Sequence, residues 1–155
     1  MPIPWKERWF DDFAVGETAV FGEHLVSEDE IVEFARRYDP QPFHVDPVAA
    51  MQSPYGGLIA SGWMTGAVVT RLMCAHFLSP CSAMASPGLD ELRWLKPVRP
   101  GDRLSVRVEV LETNRSRSKP DRGVVRLLQQ AVNQDGEVVL SVHGRAMFWC
   151  RPCSR

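Results

Sequence analysis

Asp39 and His44 are the residues of this chain whose types and spacing could do chemistry. They lie five positions apart, in a segment that also contains Pro40 and Pro42. A carboxylate and an imidazole that converge on one water molecule can act as general base and general acid, each typically contributing about 10²–10⁴-fold to a rate. The pair therefore predicts proton transfer to and from water, provided that the fold brings the two side chains together.

The spacing of this pair requires a folded loop. Residues five positions apart do not share a helix face, and in a fully extended chain Asp39 and His44 would lie about 17 Å apart. Because proline restricts the backbone, we interpret the prolines as keeping this segment non-helical, in a bend that joins the two side chains. The alternative is an ordinary loop in which the aspartate caps a turn and the histidine is a partly buried hydrogen-bonding group.

Addition of water to a double bond conjugated to a carbonyl requires a third element, because negative charge accumulates on the carbonyl oxygen. A helix is predicted to begin near Ser61 and Gly62, downstream of Gly57. The first N–H groups of a helix have no partner within it and lie at the positive end of its dipole. Gly62 has no side chain to block an approach to these groups.

Two helices are predicted around the Asp39–His44 segment. Ser27 and Glu30 form a capping box, and the apolar residues behind it recur at helical spacing. That helix is predicted to end at residue 38 or 39, because Pro40 disfavours the α conformation in the residue before it. Asp46 is a predicted N-cap, with proline at the first position of a short helix that runs through Met51.

The rest of the chain is predicted to supply a buried helix and a sheet. Residues 53–57 indicate a turn, and residues 61–77 are apolar on nearly every side, which is typical of a fully buried helix. Five strands are predicted, over residues 18–26, 89–97, 103–112, 124–133 and 137–148. This order indicates the α+β class, with an antiparallel sheet wrapped around the long central helix.

Length and composition limit the possible functions. A chain of 155 residues is predicted to form one domain over 1–155, with residues 1–13 as a packed aromatic arm and 149–155 as a C-terminal tail. The net charge of −1 argues against nucleic-acid binding. Arg71 and His76 interrupt the longest apolar stretch, which argues against a membrane span. The start has no pattern typical of a secretory signal, so we expect a cytoplasmic protein with reduced thiols.

The four cysteines include Cys150 and Cys153, which have C-x-x-C spacing. A zinc site would need a second pair of ligands at such spacing. We therefore predict no metal site and interpret the two thiols as an incidental pair.

The central motifs resemble those of the MaoC-like dehydratases, the family of (R)-specific enoyl-CoA hydratases with a hot-dog fold. The matching motifs are Asp39-x-Gln41-Pro42-x-His44-x-Asp46-Pro47, Gly57-x-Ile59-Ala60-x-Gly62, Phe10-Asp11-Asp12-Phe13-x-Val15-Gly16 and Lys96-Pro97-Val98-Arg99-Pro100-Gly101-Asp102. The resemblance covers most of the chain and implies a single hot-dog domain.

The resemblance also implies roles for individual residues. Asp39 and His44 would activate the water, and the Gly62 N–H would bind the thioester oxygen, with Gly57 nearby. Two positions depart from the family pattern: Gln41 stands where an asparagine is usual, and Ser61 where a histidine is common. We expect both to contribute to substrate binding or to support of the loop.

The resulting hypothesis is a hydratase/dehydratase that interconverts trans-2-enoyl-CoA and (R)-3-hydroxyacyl-CoA. It would need no metal or organic cofactor, and the family pattern implies a homodimer or a higher even oligomer. The partner is expected to be an acyl-CoA thioester, with no nucleic acid or membrane. Two alternatives remain: a hot-dog acyl-CoA thioesterase and a non-catalytic acyl-CoA-binding subunit.

Overall fold

Four α-helices and five strands form within residues 1–153, the part of the chain that the computed structural model describes. The helices are α1 (Glu28–Tyr38), α2 (Pro42–Val45), α3 (Pro47–Met51) and α4 (Gly62–His76). The strands are β1 (Thr18–Leu25), β2 (Ala83–Trp94), β3 (Arg103–Arg115), β4 (Arg122–Val132) and β5 (Val138–Trp149).

The strands form one antiparallel sheet in the order β1-β3-β4-β5-β2. Burial alternates along β3, where Leu104, Val106, Val108 and Val110 are all buried, because successive strand residues point to opposite faces. The buried face packs on α4, which contacts β1, β3 and β4. The prediction of an α+β fold with an antiparallel sheet around a central helix is confirmed.

The start of α1 follows from its capping residues. The Ser27 hydroxyl accepts a hydrogen bond from the Glu30 N–H at 3.1 Å, which is one half of the predicted capping box. The Glu30 carboxylate lies 2.9 Å from His24 Nε2 and does not complete the other half. Asp39 follows the last residue of α1, and its N–H donates to the Ala35 carbonyl. The end of this helix therefore fixes the position of the aspartate, as predicted.

The prediction that the prolines keep the segment from Asp39 to His44 non-helical is wrong. Residues Pro42–Val45 form one helical turn, with Pro42 at its first position. Proline is well suited to that position, because the N–H that it lacks would have no partner there and its φ is already helical. This turn draws His44 back toward Asp39.

The predicted bounds of the second strand are also wrong. We expected it over residues 89–97, whereas β2 begins at Ala83 and ends at Trp94. Pro87 and Gly88 lie inside β2, and a register shift between Met84 and Gly88 accommodates them. Proline is tolerated here because β2 lies at the edge of the sheet, where some N–H groups need no partner.

The N-terminal residues pack against the core. Trp5 stacks on Phe77, with 4.8 Å between the ring centroids. Phe10 is buried, and its ring lies directly over Gly123 of β4, where a Cβ atom would overlap it. The aromatic side chains that precede β1 therefore cover part of the sheet, as the prediction of a packed N-terminal arm implies.

Substitution of Gly123 by alanine is expected to lower the free energy of unfolding by about 1–3 kcal/mol, because the added methyl group must displace Phe10. The measurement is urea denaturation followed by tryptophan fluorescence. Gly66→Ala is the matched control, since a Cβ at this position of α4 meets nothing within 4 Å. Alanine should leave stability unchanged or raise it by up to about 1 kcal/mol there, because glycine is a poor helix former. Equal losses in the two variants would contradict the packing argument.

Candidate active site

Three chain segments bring Asp39, His44 and Ser61 together. Asp39 terminates α1, His44 belongs to the single turn of α2, and Ser61 is the N-cap of α4. The His44 Nε2 atom lies 3.4 Å from the Asp39 Oδ2 atom. The convergence that the sequence required is present.

The Asp39 carboxylate is held by two donors. The Gln41 Nε2 group donates to Oδ1 at 2.7 Å, and the fully buried Ser61 hydroxyl donates to Oδ2 at 2.8 Å. Burial raises the pKa of Asp39, but these hydrogen bonds and the nearby His44 outweigh it, so the pKa lies below the ordinary value of 3.8. Asp39 is therefore ionised at neutral pH.

The His44 ring is oriented by a backbone atom. Its Nδ1 atom lies 2.7 Å from the Ile59 carbonyl oxygen. A carbonyl oxygen can only accept a hydrogen bond, so Nδ1 carries the hydrogen. Nε2 is therefore the atom that gains or loses a proton, and it is the atom that faces Asp39.

Asp39 and His44 open onto a cleft of about 490 Å³. Aromatic and aliphatic side chains form most of its wall. The lining residues that carry polar side chains, apart from the pair itself, are Tyr55, Thr65 and Lys96. A mostly apolar cleft with a few convergent polar groups is typical of a small-molecule site.

Gly62 lines the same cleft at the first position of α4. Its N–H belongs to the first turn, where no helical carbonyl can accept from it. The Trp94 indole lies against Gly62, so that a Cβ at position 62 would overlap the indole ring. Trp63 packs edge-on against Trp94, with 5.2 Å between centroids, and the two indoles border the approach to the helix N-terminus.

Gly57, unlike the other predicted site residues, lies away from Asp39 and His44. It does not line the cleft and lies beside Arg99, whose guanidinium donates to the Tyr55 carbonyl at 2.6 Å. Gln41 and Ser61 are hydrogen-bonded to Asp39, His44 Nε2 lies 3.4 Å from the same carboxylate, and Gly62 lies on the adjoining wall.

Two contacts of the site could not be predicted from the sequence: the Ile59 carbonyl with His44, and Trp94 with Gly62. The first is a backbone group, which no residue type reveals. The second joins an edge strand to a helix start 32 positions away, a pairing that local patterns do not contain. Thr65 was also missed, since one threonine in an apolar helix gives no signal of its own.

Substitution of Ser61 by alanine is expected to lower the free energy of unfolding by about 1–3 kcal/mol at pH 7, because the Asp39 carboxylate, whose side chain is only 20% exposed, loses a donor. A folded-state pKa below the unfolded one adds stability above the unfolded pKa, and this stability is lost as pH falls through the folded pKa. The difference between wild type and variant should therefore be full at pH 7 and shrink below about pH 4. Urea denaturation from pH 7 to pH 2.5 measures it, with the exposed Ser118→Ala as control. A difference that does not change with pH would contradict this account.

The thiols with C-x-x-C spacing, Cys150 and Cys153, are both free, and burial raises the pKa of Cys150. Among residues 1–153, the helices are all too short or too polar to cross a bilayer.

Several known proteins are similar to this chain in sequence. The family model described as "MaoC like domain" matches residues 12–133. The uncharacterised protein YdeM of Bacillus subtilis is 32% identical over 124 residues, which cover 80% of this chain and 86% of YdeM. A 3-hydroxybutyryl-CoA dehydratase of Methylorubrum extorquens is 29% identical over 135 residues, covering 86% of this chain and 83% of the relative.

The fold is likewise shared with a solved structure. The crystal structure of a MaoC-like dehydratase from Rhodospirillum rubrum superposes with a TM-score of 0.87 at 40% identity, and the match covers 94% of this chain and 99% of that one. The family model spans most of the chain, and the sheet-and-helix arrangement is the one described above. The chain therefore belongs to the MaoC-like dehydratase family and has its hot-dog fold.

Proposed function

We propose that this protein is a hydratase/dehydratase that interconverts trans-2-enoyl-CoA and (R)-3-hydroxyacyl-CoA. The observation that carries the proposal is the convergence of ionised Asp39 and the Nε2 atom of His44 on a cleft that also contains the start of α4. The printed name of the Methylorubrum relative, a 3-hydroxybutyryl-CoA dehydratase, supports the same reaction class.

In the hydration direction, a water molecule binds between the Asp39 carboxylate and His44 Nε2. As its oxygen bonds to the β-carbon, one of its protons passes to this pair, and the electrons of the double bond move toward the thioester oxygen. The same proton, or one exchanged for it within the pair, then reaches the α-carbon. Dehydration reverses these steps, and no metal or organic cofactor is needed because only protons and water are transferred.

The first turn of α4 supplies the group that receives the developing negative charge. The thioester oxygen accepts a hydrogen bond from the Gly62 N–H, at the positive end of the α4 dipole. Since the Trp94 indole lies against Gly62, the thioester enters beside this ring. Gln41 and Ser61 both donate hydrogen bonds to the Asp39 carboxylate, and their role in this proposal is to orient it.

We also propose that the protein acts in the cytoplasm as a homodimer or a higher even oligomer. The supporting observation is β2, an edge strand. Leu89, Trp94 and Leu95, on this strand or directly after it, each expose about half of their surface. An unpaired edge with exposed apolar side chains favours association with another chain. Light scattering after size-exclusion chromatography tests it, and a monomer at micromolar concentration would contradict it.

The activity is tested by incubating the protein with crotonyl-CoA and longer trans-2-enoyl-CoAs. Hydration removes the absorbance of the conjugated thioester without releasing a thiol. Release of free coenzyme A, detected with a thiol reagent in the same cuvette, would instead indicate a thioesterase. Saturable binding of acyl-CoA with no turnover across the panel would indicate a non-catalytic binding subunit, and either result would overturn the proposed function.

A further inference from the structure

Thr65 is a buried residue of the cleft wall, and its hydroxyl has no hydrogen-bond partner among residues 1–153. The residue lines the cleft and is 3% exposed. Within residues 1–153, every fully enclosed side-chain nitrogen or oxygen has a hydrogen-bond partner. The Thr65 hydroxyl forms no hydrogen bond with these residues, so it is not fully enclosed and reaches the open space of the cleft.

The hydroxyl of Thr70, on the same helix, has a hydrogen-bond partner in the helix backbone, unlike that of Thr65. Thr70 donates its hydroxyl to the Gly66 carbonyl one turn earlier, at 3.1 Å, which is the usual way in which a helical threonine satisfies its hydroxyl. The carbonyl one turn before Thr65 belongs to Ser61, and it accepts from the Met64 and Thr65 N–H groups. The Thr65 hydroxyl therefore remains free to bind a ligand.

The position of Thr65 along α4 indicates which part of a ligand it meets. Thr65 lies three residues after Gly62, which corresponds to about 4.5 Å along the helix axis. This distance equals about three carbon–carbon bonds of ~1.5 Å. If Gly62 binds the thioester oxygen, Asp39 and His44 bind the oxygen on the β-carbon, and the acyl chain runs along α4, Thr65 lies beside the next carbons of the chain.

We infer that the Thr65 hydroxyl is a specificity-determining group that binds an uncharged oxygen substituent, a hydroxyl or oxo group, at or just beyond the fourth carbon of the acyl chain. This inference rests on the proposed function, since it assumes an acyl-CoA in the cleft. A carboxylate is a poorer occupant, because the ionised Asp39 lines the same cleft and the cation of the lining, Lys96, is already paired with Glu137. A purely apolar chain would leave the hydroxyl buried without a partner, which weakens its binding.

The test measures binding of ligands that cannot be hydrated, so it does not depend on turnover. Isothermal titration calorimetry with butyryl-CoA and 4-hydroxybutyryl-CoA gives Kd for each, in wild type, Thr65→Val and Thr65→Ser. Wild type should bind the hydroxylated ligand about five- to tenfold more tightly. Thr65→Val has nearly the same shape and should reduce this ratio to about one, whereas Thr65→Ser keeps the hydroxyl and should retain the preference.

The matched control is Thr70→Val, which removes a hydroxyl from the exposed side of the same helix and should leave the ratio unchanged. Equal binding of the two ligands by wild type, or a preference that persists in Thr65→Val, would overturn the inference while leaving the proposed function intact. Failure of both ligands to bind would overturn both proposals.

Discussion

Substitution of Asp39 by asparagine is expected to lower kcat/KM for hydration of crotonyl-CoA by about 10³-fold. Asparagine has the shape of aspartate, and its oxygen can still accept from Gln41. It has no negative charge, however, and cannot take a proton from water at neutral pH. Initial rates from the loss of enoyl absorbance measure the effect. Urea denaturation of the same preparation checks that the variant is folded.

The control for Asp39→Asn is Asp135→Asn, which makes the same chemical change at an exposed position of the hairpin between β4 and β5. This variant should keep the wild-type rate, since it alters the net charge by the same amount but lies outside the cleft. If Asp39→Asn were folded and as active as Asp135→Asn, the assignment of Asp39 to proton transfer would be wrong.

Substitution of His44 by asparagine is expected to lower kcat/KM by about 10²–10⁴-fold. The asparagine Nδ2 group can take the place of the histidine Nδ1 and donate to the Ile59 carbonyl, so the support of the buried side chain is kept. The Nε2 atom that faces Asp39 is removed. The loss should appear mainly in kcat, because the variant removes a group that acts on the reacting water rather than on the bound thioester.

Two further variants separate proton transfer from packing at this position. His44→Gln extends an amide toward the place of Nε2 but cannot exchange a proton, and it should be as impaired as His44→Asn. His76→Asn changes an exposed histidine at the far end of α4 and should have no effect. Activity close to wild type in His44→Gln would show that the position needs only a polar group.

Local patterns predicted those parts of the site that depend on neighbouring residues. The capping pair Ser27 and Glu30, followed by Pro40, was sufficient to place the ends of α1 and hence Asp39. The pattern around Pro42 was misinterpreted because one residue type supports two structures: proline stops a helix from continuing but also favours its first position. Sequence alone does not decide between these two effects without the contacts that the turn makes.

The parts that could not be predicted depend on contacts between distant segments. The extension of β2 back to Ala83 depends on its pairing with β5, which continues on both sides of Pro87. The contact of Trp94 with Gly62 arises only when the edge strand and the central helix have both been placed. The resemblance to a known family identified Asp39 and His44, but not what holds them in position.

The Ile59 carbonyl has a consequence for how the sequence of this site can vary. An anchor made of main-chain atoms is present whatever amino acid occupies the position, so mutation of the side chain cannot delete it. Ile59 is 7% exposed and lines the cleft, so a side chain of another size would change the space inside it. The shape of the cleft can therefore change through position 59 while the imidazole keeps its tautomer.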